Sequence, residues 1–293
     1  MKKYALLFLT NLLILFVLSI LMLFLGIDGT TWSGFAIACL IFGMGAAFIN
    51  LYLSIWIAKT WYGVVIIDNE SRLNEKQQFL YKKCLELCQN AGIDKVQIGI
   101  YESREINAFA TGPSKNNSLL AFSSGLIDHM NEDEIEGVIA HEIGHVVSGD
   151  MVIMTLLQGL ANAFVIFAAR IVANLIDNYL AGKNRNNGFG LSVWGYWILV
   201  WILEVLFMML AYLLISYVSR KREFAADEFS ARLVGKQKMI SALSSLGAAV
   251  PYQKEEKRDS LVFSKINNRK KLYFFETHPS LQDRIESLKL LNI

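Results

Sequence analysis

A chain of 293 residues that is 54% hydrophobic and 12% aromatic, with 18% charged residues and a mean hydropathy of +0.38, is too apolar for an ordinary soluble domain and reads as an integral membrane protein. A net charge of +2 with scattered basic residues makes no nucleic-acid surface, although it suits a weak attraction to anionic lipid. The three cysteines, Cys39, Cys84 and Cys88, exclude a disulfide framework and have poor zinc spacing; they read as small buried hydrophobes in a reducing compartment.

Lys2 and Lys3 precede an almost uninterrupted apolar run, Tyr4 to Leu25, and after Gly26-Ile27-Asp28-Gly29 a second run extends from Trp32 to Trp56. The two predict a tight helical hairpin through a bilayer. A cleaved signal peptide does not fit, because the first run is too long and no small-x-small cleavage pattern follows it.

The next stretch is polar. Leu80, Cys84, Leu87 and Cys88 mark one face of a helix ending near Asn90-Ala91-Gly92, and Val96, Ile98 and Ile100 alternate as a strand. Asn107 to Ala110 and Ser118 to Phe122, joined across Gly112 to Asn117, read as a hairpin. His129 is expected on the surface ahead of the next helix, and the sequence alone gives only a hairpin here, for which completing the domain core is an alternative use.

Asn131 followed three residues later by Glu134 predicts an N-cap with its capping-box partner, ahead of Ile135, Val138 and Ile139 at helical spacing. That helix carries His141-Glu142-Ile143-Gly144-His145. Two histidines at i and i+4 project from one face, where they can hold Zn²⁺ with Glu142 beside them as general base. A catalytic zinc needs a third protein ligand, and it is not nearby: an extended motif would want Gly at 148 and His at 151, where this chain has Ser148 and Met151.

Met151 to Ile176 and Val193 to Val218 form a second hydrophobic pair, interrupted by Asn162, Arg170, Asn174 and Glu204. Charges inside a bilayer are costly. Counting along both helices places Arg170 and Glu204 about 7 Å apart in depth, which predicts an ion pair between them. A proton path through Glu204 lacks a second intramembrane carboxylate to receive the proton. Basic residues at Lys2, Lys3, Arg220, Lys221 and Arg222, against a first outer loop with none, place 57–150 and 219–293 in the cytoplasm; Lys183 and Arg185 weaken this bias without reversing it.

Glu223-Phe224-Ala225-Ala226-Asp227 lies just beyond the fourth hydrophobic segment and puts two carboxylates on one helix face. Alone it would read as a solvated face. With the histidine pair demanding a carboxylate, Glu223 becomes the candidate third ligand and Asp227 the group that orients a ligand imidazole through its free ring N–H. A hairpin into the membrane between the two motifs returns the chain to its starting depth, so the three ligands are expected to meet at the cytoplasmic face. Pro251 to Lys271 is charged and aperiodic and reads as a mobile insertion. Thr277-His278-Pro279 opens a last helix with Leu281, Ile285 and Leu288 inward and Pro279 at its first position.

His141-Glu142-x-x-His145, Glu223-x-x-x-Asp227 after a long hydrophobic interval, Thr277-His278-Pro279-Ser280 with Arg284, and Asn107-Ala108-Phe109-Ala110 together resemble the HtpX family of bacterial membrane zinc metalloproteases, gluzincin-like and distant relatives of the CAAX prenyl proteases. The resemblance runs nearly end to end. It implies one Zn²⁺ per chain on His141, His145 and Glu223, with Glu142 taking a proton from water and delivering it to the leaving amine. It also implies a substrate-holding edge strand at Asn107, oxyanion stabilisation by His278 or Arg284, and a stress-response, quality-control role on misfolded membrane proteins and unfolded polypeptides at the bacterial inner membrane.

The expected fold is therefore mainly α, with four membrane-associated helices and a cytoplasmic zincin-like α+β catalytic domain carrying a small β-sheet. Its parts are a membrane hairpin (1–57), a catalytic region with the hairpin and zinc helix (58–150), a second membrane hairpin (151–218) and a region with the third ligand (219–293). The rival readings are a non-catalytic membrane protein that binds misfolded partners around a structural zinc, which has no use for a base such as Glu142, and a transporter, against which the lack of broken Gly/Pro helices argues. The sequence sets no oligomeric state.

Overall fold

The computed structural model describes residues 31–67, 73–183, 190–256 and 278–293, with Phe16 and Ile20. Apart from these two residues, the expected first membrane segment lies outside the described residues, as do the turn at 26–29 and the stretch 257–277. In chain order the elements are α1 (Trp32–Trp61), β1 (Val65–Ile66), α2 (Glu75–Asn90), β2 (Val96–Tyr101), β3 (Ala108–Ser114) and β4 (Asn117–Ser123). There follow α3 (Ser124–His129), α4 (Glu132–Ser148), α5 (Asp150–Lys183), α6 (Val193–Val234), α7 (Lys236–Glu256) and α8 (Leu281–Leu290). The chain divides into two compact units, Met1–Asn50 with Met154–Ile215 and Leu51–Ile153 with Ser216–Ile293.

Among the described residues three helices, α1, α5 and α6, are long and apolar enough to cross a membrane. Within the first unit α1 and α5 meet at small residues: a Cβ added to Gly43 would lie 2.5 Å from the backbone nitrogen of Ala163, so only glycine permits this approach. Helices α5 and α6 are joined by the pair foreseen from helix geometry, Arg170 Nη1 donating to Glu204 Oε1 at 2.7 Å. The Arg170 guanidinium also stands 5.6 Å from the ring centres of both Phe35 and Trp197, an electrostatically favourable place for a cation out of water.

The second unit is built on a mixed sheet in the order β1-β2-β4-β3. Strands β3 and β4 form the expected antiparallel hairpin, with an irregularity between Thr111 and Ser114, while β2 runs parallel to β4 over Val96–Tyr101. Ile98, Leu120 and Phe122 face a core made by Leu80, Cys84, Leu87 and Cys88 of α2 and Ile135, Ile139 and Ile143 of α4. Burial pushes the Cys88 thiol up to about 12, so it stays protonated and inert. The other face of the sheet packs Leu119, Ala121 and Tyr101 against Ala58 and Val64.

Two boundaries differ from the sequence reading. Residues 251–256 continue helix α7 rather than opening a mobile insertion, since an interior proline removes one hydrogen bond and kinks a helix without having to end it. Helix α8 is capped by Ser280, whose side chain accepts from Asp283 N at 3.1 Å, so Pro279 precedes the cap instead of occupying the first helical position. Leu281, Ile285 and Leu288 nevertheless pack inward against Met239 and Leu243.

Candidate metal centre

Helix α4 is held at both ends. Asn131 accepts from Glu134 N at 3.0 Å while Glu134 Oε2 accepts from Asn131 N at 3.0 Å, closing the capping box. The second oxygen of Glu134 accepts from Ser241 and Ser245 of α7 at 3.0 and 2.5 Å, so one buried carboxylate caps α4 and fastens its neighbour. At the other end Gly149 takes φ 68°, a left-handed conformation that ends α4, and the chain restarts at once as α5.

Glycine also sets how closely the helices meet. A Cβ on Gly144, inside the histidine motif, would lie 3.2 Å from Ala226 Cα, and one on Gly137 2.9 Å from the Lys238 carbonyl oxygen. Helix α6 at Gly144 and helix α7 at Gly137 therefore approach α4 closely, and Ser230 Oγ donates to the Gly137 carbonyl at 2.9 Å to hold α6 there. This approach carries Glu223 to the histidines although 78 residues separate it from His145.

The Nε2 atoms of His141 and His145 are 3.1 Å apart. Glu223 places Oε1 3.5 Å from His145 Nε2 and Oε2 3.8 Å from His141 Nε2. Tetrahedral zinc with bonds of about 2.0–2.1 Å needs ligand atoms about 3.3 Å from one another, so this donor set has the right chemistry and the right spread for a small divalent cation. Glu142 sits beside it, 8% exposed and lining the same cavity, close enough for its charge to act on His145 and Arg284.

Each imidazole is anchored through its other nitrogen. His141 Nδ1 lies 2.9 Å from Asp227 Oδ1, and Arg284 clamps the same carboxylate with Nε and Nη2 at 2.7 and 2.6 Å. His145 Nδ1 lies 2.7 Å from Asp150 Oδ2, and Asp150 in turn pairs with Arg222. Burial alone would raise the carboxyl groups of Glu223 and Asp227. For Glu223 this is outweighed by its contacts with His145 and His278 and by the charges of His141 and Arg284; for Asp227, by Arg284 and His141. Glu223 is held well below the usual carboxylate range, and Asp227 is lowered from its ordinary value.

A cavity of about 290 Å³ opens onto the cluster, lined by Asn107 to Ala110 along edge strand β3 and its approach, with Leu126, Val138, Met239 and Leu246 as apolar walls. The structure thus brings together His141, Glu142, His145, Glu223, Asp227, His278, Arg284 and Asn107. His278 is mostly exposed, its Nδ1 3.0 Å from Glu223 Oε2, whereas Arg284 is buried and committed to Asp227 and to Glu223 Oε2 at 3.2 Å. Sequence reasoning missed Asp150 and gave Arg222 only a topological role. The available signal was an acidic residue directly after a helix-ending Gly149, one turn beyond the second histidine.

A membrane-borne HExxH helix joined by a distant glutamate defines a class, and the chain is a multi-pass membrane metalloprotease. It belongs to peptidase family M48, whose model matches residues 74–291. It is 46% identical over 295 residues to protease HtpX of Shewanella piezotolerans and 45% identical over 289 residues to protease HtpX of Shewanella denitrificans, covering 99% of each chain in both cases. In fold it resembles the crystal structure of Ste24p from S. mikatae, with a TM-score of 0.61 at 20% identity over 98% of this chain; the match spans 66% of that longer chain.

Proposed function

We propose that the chain is a zinc-dependent endopeptidase in which His141, His145 and Glu223 hold one Zn²⁺ and Glu142 is the general base. The observation that carries this reading is the placement of three donor atoms at zinc spacing with a further buried carboxylate, Glu142, lining the same cavity. A structural zinc site would close with a fourth ligand and has no use for such a group. Bound there, Zn²⁺ supplies Lewis acidity toward water and the scissile carbonyl.

The remaining work falls to side chains. Glu142 accepts a proton from the attacking water and returns it to the leaving amine. Asp227 fixes the His141 tautomer. His278, exposed at the cavity, donates to the carbonyl oxygen as charge develops there, and Arg284, committed to two carboxylates, holds Asp227 and Glu223 in place. Strand β3, at the sheet edge beside the cavity, offers its main chain to an extended substrate from Asn107 onward, which suits cleavage with little regard to sequence.

The wider setting is a proposal as well. Four membrane segments, counting Tyr4 to Leu25, would divide the chain into a hairpin at 1–57, catalytic parts at 58–150 and 219–293, and a second hairpin at 151–218, with the catalytic parts on the cytoplasmic side of the bacterial inner membrane. The basic residues at Lys2, Lys3, Arg220, Lys221 and Arg222 support that orientation. His145 lies six residues before Met151 and Glu223 five after Val218, so the site belongs near the bilayer surface, where misfolded or damaged membrane proteins and unfolded polypeptides are the substrates that a quality-control and stress-response role requires.

The test is cutting of an unfolded polypeptide by chelator-treated, full-length protein in detergent micelles. Cleavage that returns on adding Zn²⁺, and is lost together with bound zinc in Glu223→Ala, supports the reading; zinc retained at one per chain in Glu223→Ala rules out that ligand set.

A further inference from the structure

The sequence led to one carboxylate, Asp227, beside a ligand imidazole; a second beside the other imidazole was not expected. His145 Nδ1 points at Asp150 Oδ2, 2.7 Å away, and Asp150 is 7% exposed. A buried carboxylate needs compensation, and Arg222 supplies it: its guanidinium pairs with Asp150 and Nη2 donates to the Ser148 carbonyl at 3.2 Å. Asp150 is also in the first turn of α5, where the helix dipole favours a negative charge. Arg222 is the residue before Glu223 on α6. One guanidinium therefore joins the last turn of α4, the first turn of α5 and the helix that delivers Glu223.

We propose that Asp150, held by Arg222, is the positioning residue for His145: it accepts the Nδ1–H, presents Nε2 to the metal, and ties the orientation of that imidazole to the placement of Glu223. The proposal rests on the reading of His145 and Glu223 as metal ligands. It gives the two histidines matching supports from separate parts of the chain, Asp227 with Arg284 for His141 and Asp150 with Arg222 for His145. A hydrogen-bonded carboxylate fixes the ring tautomer and raises the basicity of the ligating nitrogen, and loss of such a partner typically lowers metal affinity by about 10- to 100-fold.

The experiment is Zn²⁺ affinity of the full-length protein in micelles, by competition with a chromophoric chelator, alongside thermal unfolding of the metal-free form. Asp150→Ala should weaken zinc binding by about 10- to 100-fold, and the isosteric Asp150→Asn by less, because its amide oxygen still accepts. Asp150→Asn also preserves the comparison should the alanine variant fail to accumulate. Arg222→Gln should shift affinity in the same direction and by a smaller factor.

The exchange Asp150→Arg with Arg222→Asp separates positioning from simple pairing, since it restores opposite charges yet leaves His145 facing a group with donors only. Weak zinc binding in the exchanged protein supports positioning. Wild-type affinity in the exchanged protein, or in Asp150→Ala, would reduce Asp150 to an ion-pair partner and overturn the proposal. A wild type that takes up no zinc brings down the ligand reading itself, and the proposal with it.

Discussion

In the membrane unit one guanidinium, Arg170, meets one carboxylate, Glu204, with two aromatic rings against it, and the contact joins two helices. In the catalytic unit Arg284, Asp227, His141, Glu223, His145, Asp150 and Arg222 follow one another in an unbroken series of contacts. Both arrangements take charge out of water, which is costly unless it is paired. The first uses the pairing to hold helices together. On the proposed ligand set the second aims donor atoms, so the same kind of mutation should cost assembly in one unit and metal in the other.

The sharpest way to break this contrast is Arg284→Ala. It removes the cation that Asp227 and Glu223 share, leaving only imidazoles against the two carboxylates, and removing one partner of a buried pair typically costs about 3–5 kcal/mol. A lowered unfolding midpoint of the metal-free protein, together with weakened zinc binding, is the expected result; full stability would mean that the series is not coupled.

A smaller effect is expected at the membrane pair. Arg170→Ala leaves Glu204 without its cation, at about 2.5–3.5 kcal/mol for a charge at mid-bilayer and less toward the interface. The loss should appear in stability in micelles, with zinc stoichiometry unchanged. The exchange Arg170→Glu with Glu204→Arg should recover much of it. Failure of the exchange to rescue either single reversal would make the contact incidental.

Acid should produce the mildest change. Asp227 is held below the ordinary carboxyl value of 3.8 in the folded protein, so its contribution is complete above that value and is lost as pH falls through its depressed folded value. Stability of the chelated protein, followed by thermal unfolding, should therefore be flat in this respect near neutrality and decline below about pH 4. In Asp227→Asn this part of the decline should disappear.

Local signals made much of this architecture legible. Asn131 and Glu134 announced the start of α4, the spacing of Leu80, Cys84, Leu87 and Cys88 gave the inner face of α2, and two interrupted hydrophobic runs foretold Arg170 against Glu204. The histidine pair demanded a carboxylate, and Glu223 with Asp227 stood at helical spacing where one could arrive. What stayed hidden depends on contacts distant in sequence. The two-residue strand β1 has no periodicity to display, and the parallel pairing of β2 with β4 leaves no mark on either strand. The partnership of Asp150 with Arg222 spans 72 residues and a membrane hairpin, and Arg222 looked like one more basic residue at a membrane boundary. Pro279 misled because proline suits both the first helical position and the residue before a serine cap.

The most direct test of the hydrolytic centre is Glu142→Ala compared with wild type in the same micelles, with bound zinc counted in both and cleavage of an unfolded polypeptide measured. Equal zinc and a turnover lower by about 10²- to 10⁴-fold is the predicted result, the range for loss of a general base. Cleavage at the wild-type rate with equal zinc would remove Glu142 as the base and contradict the mechanism.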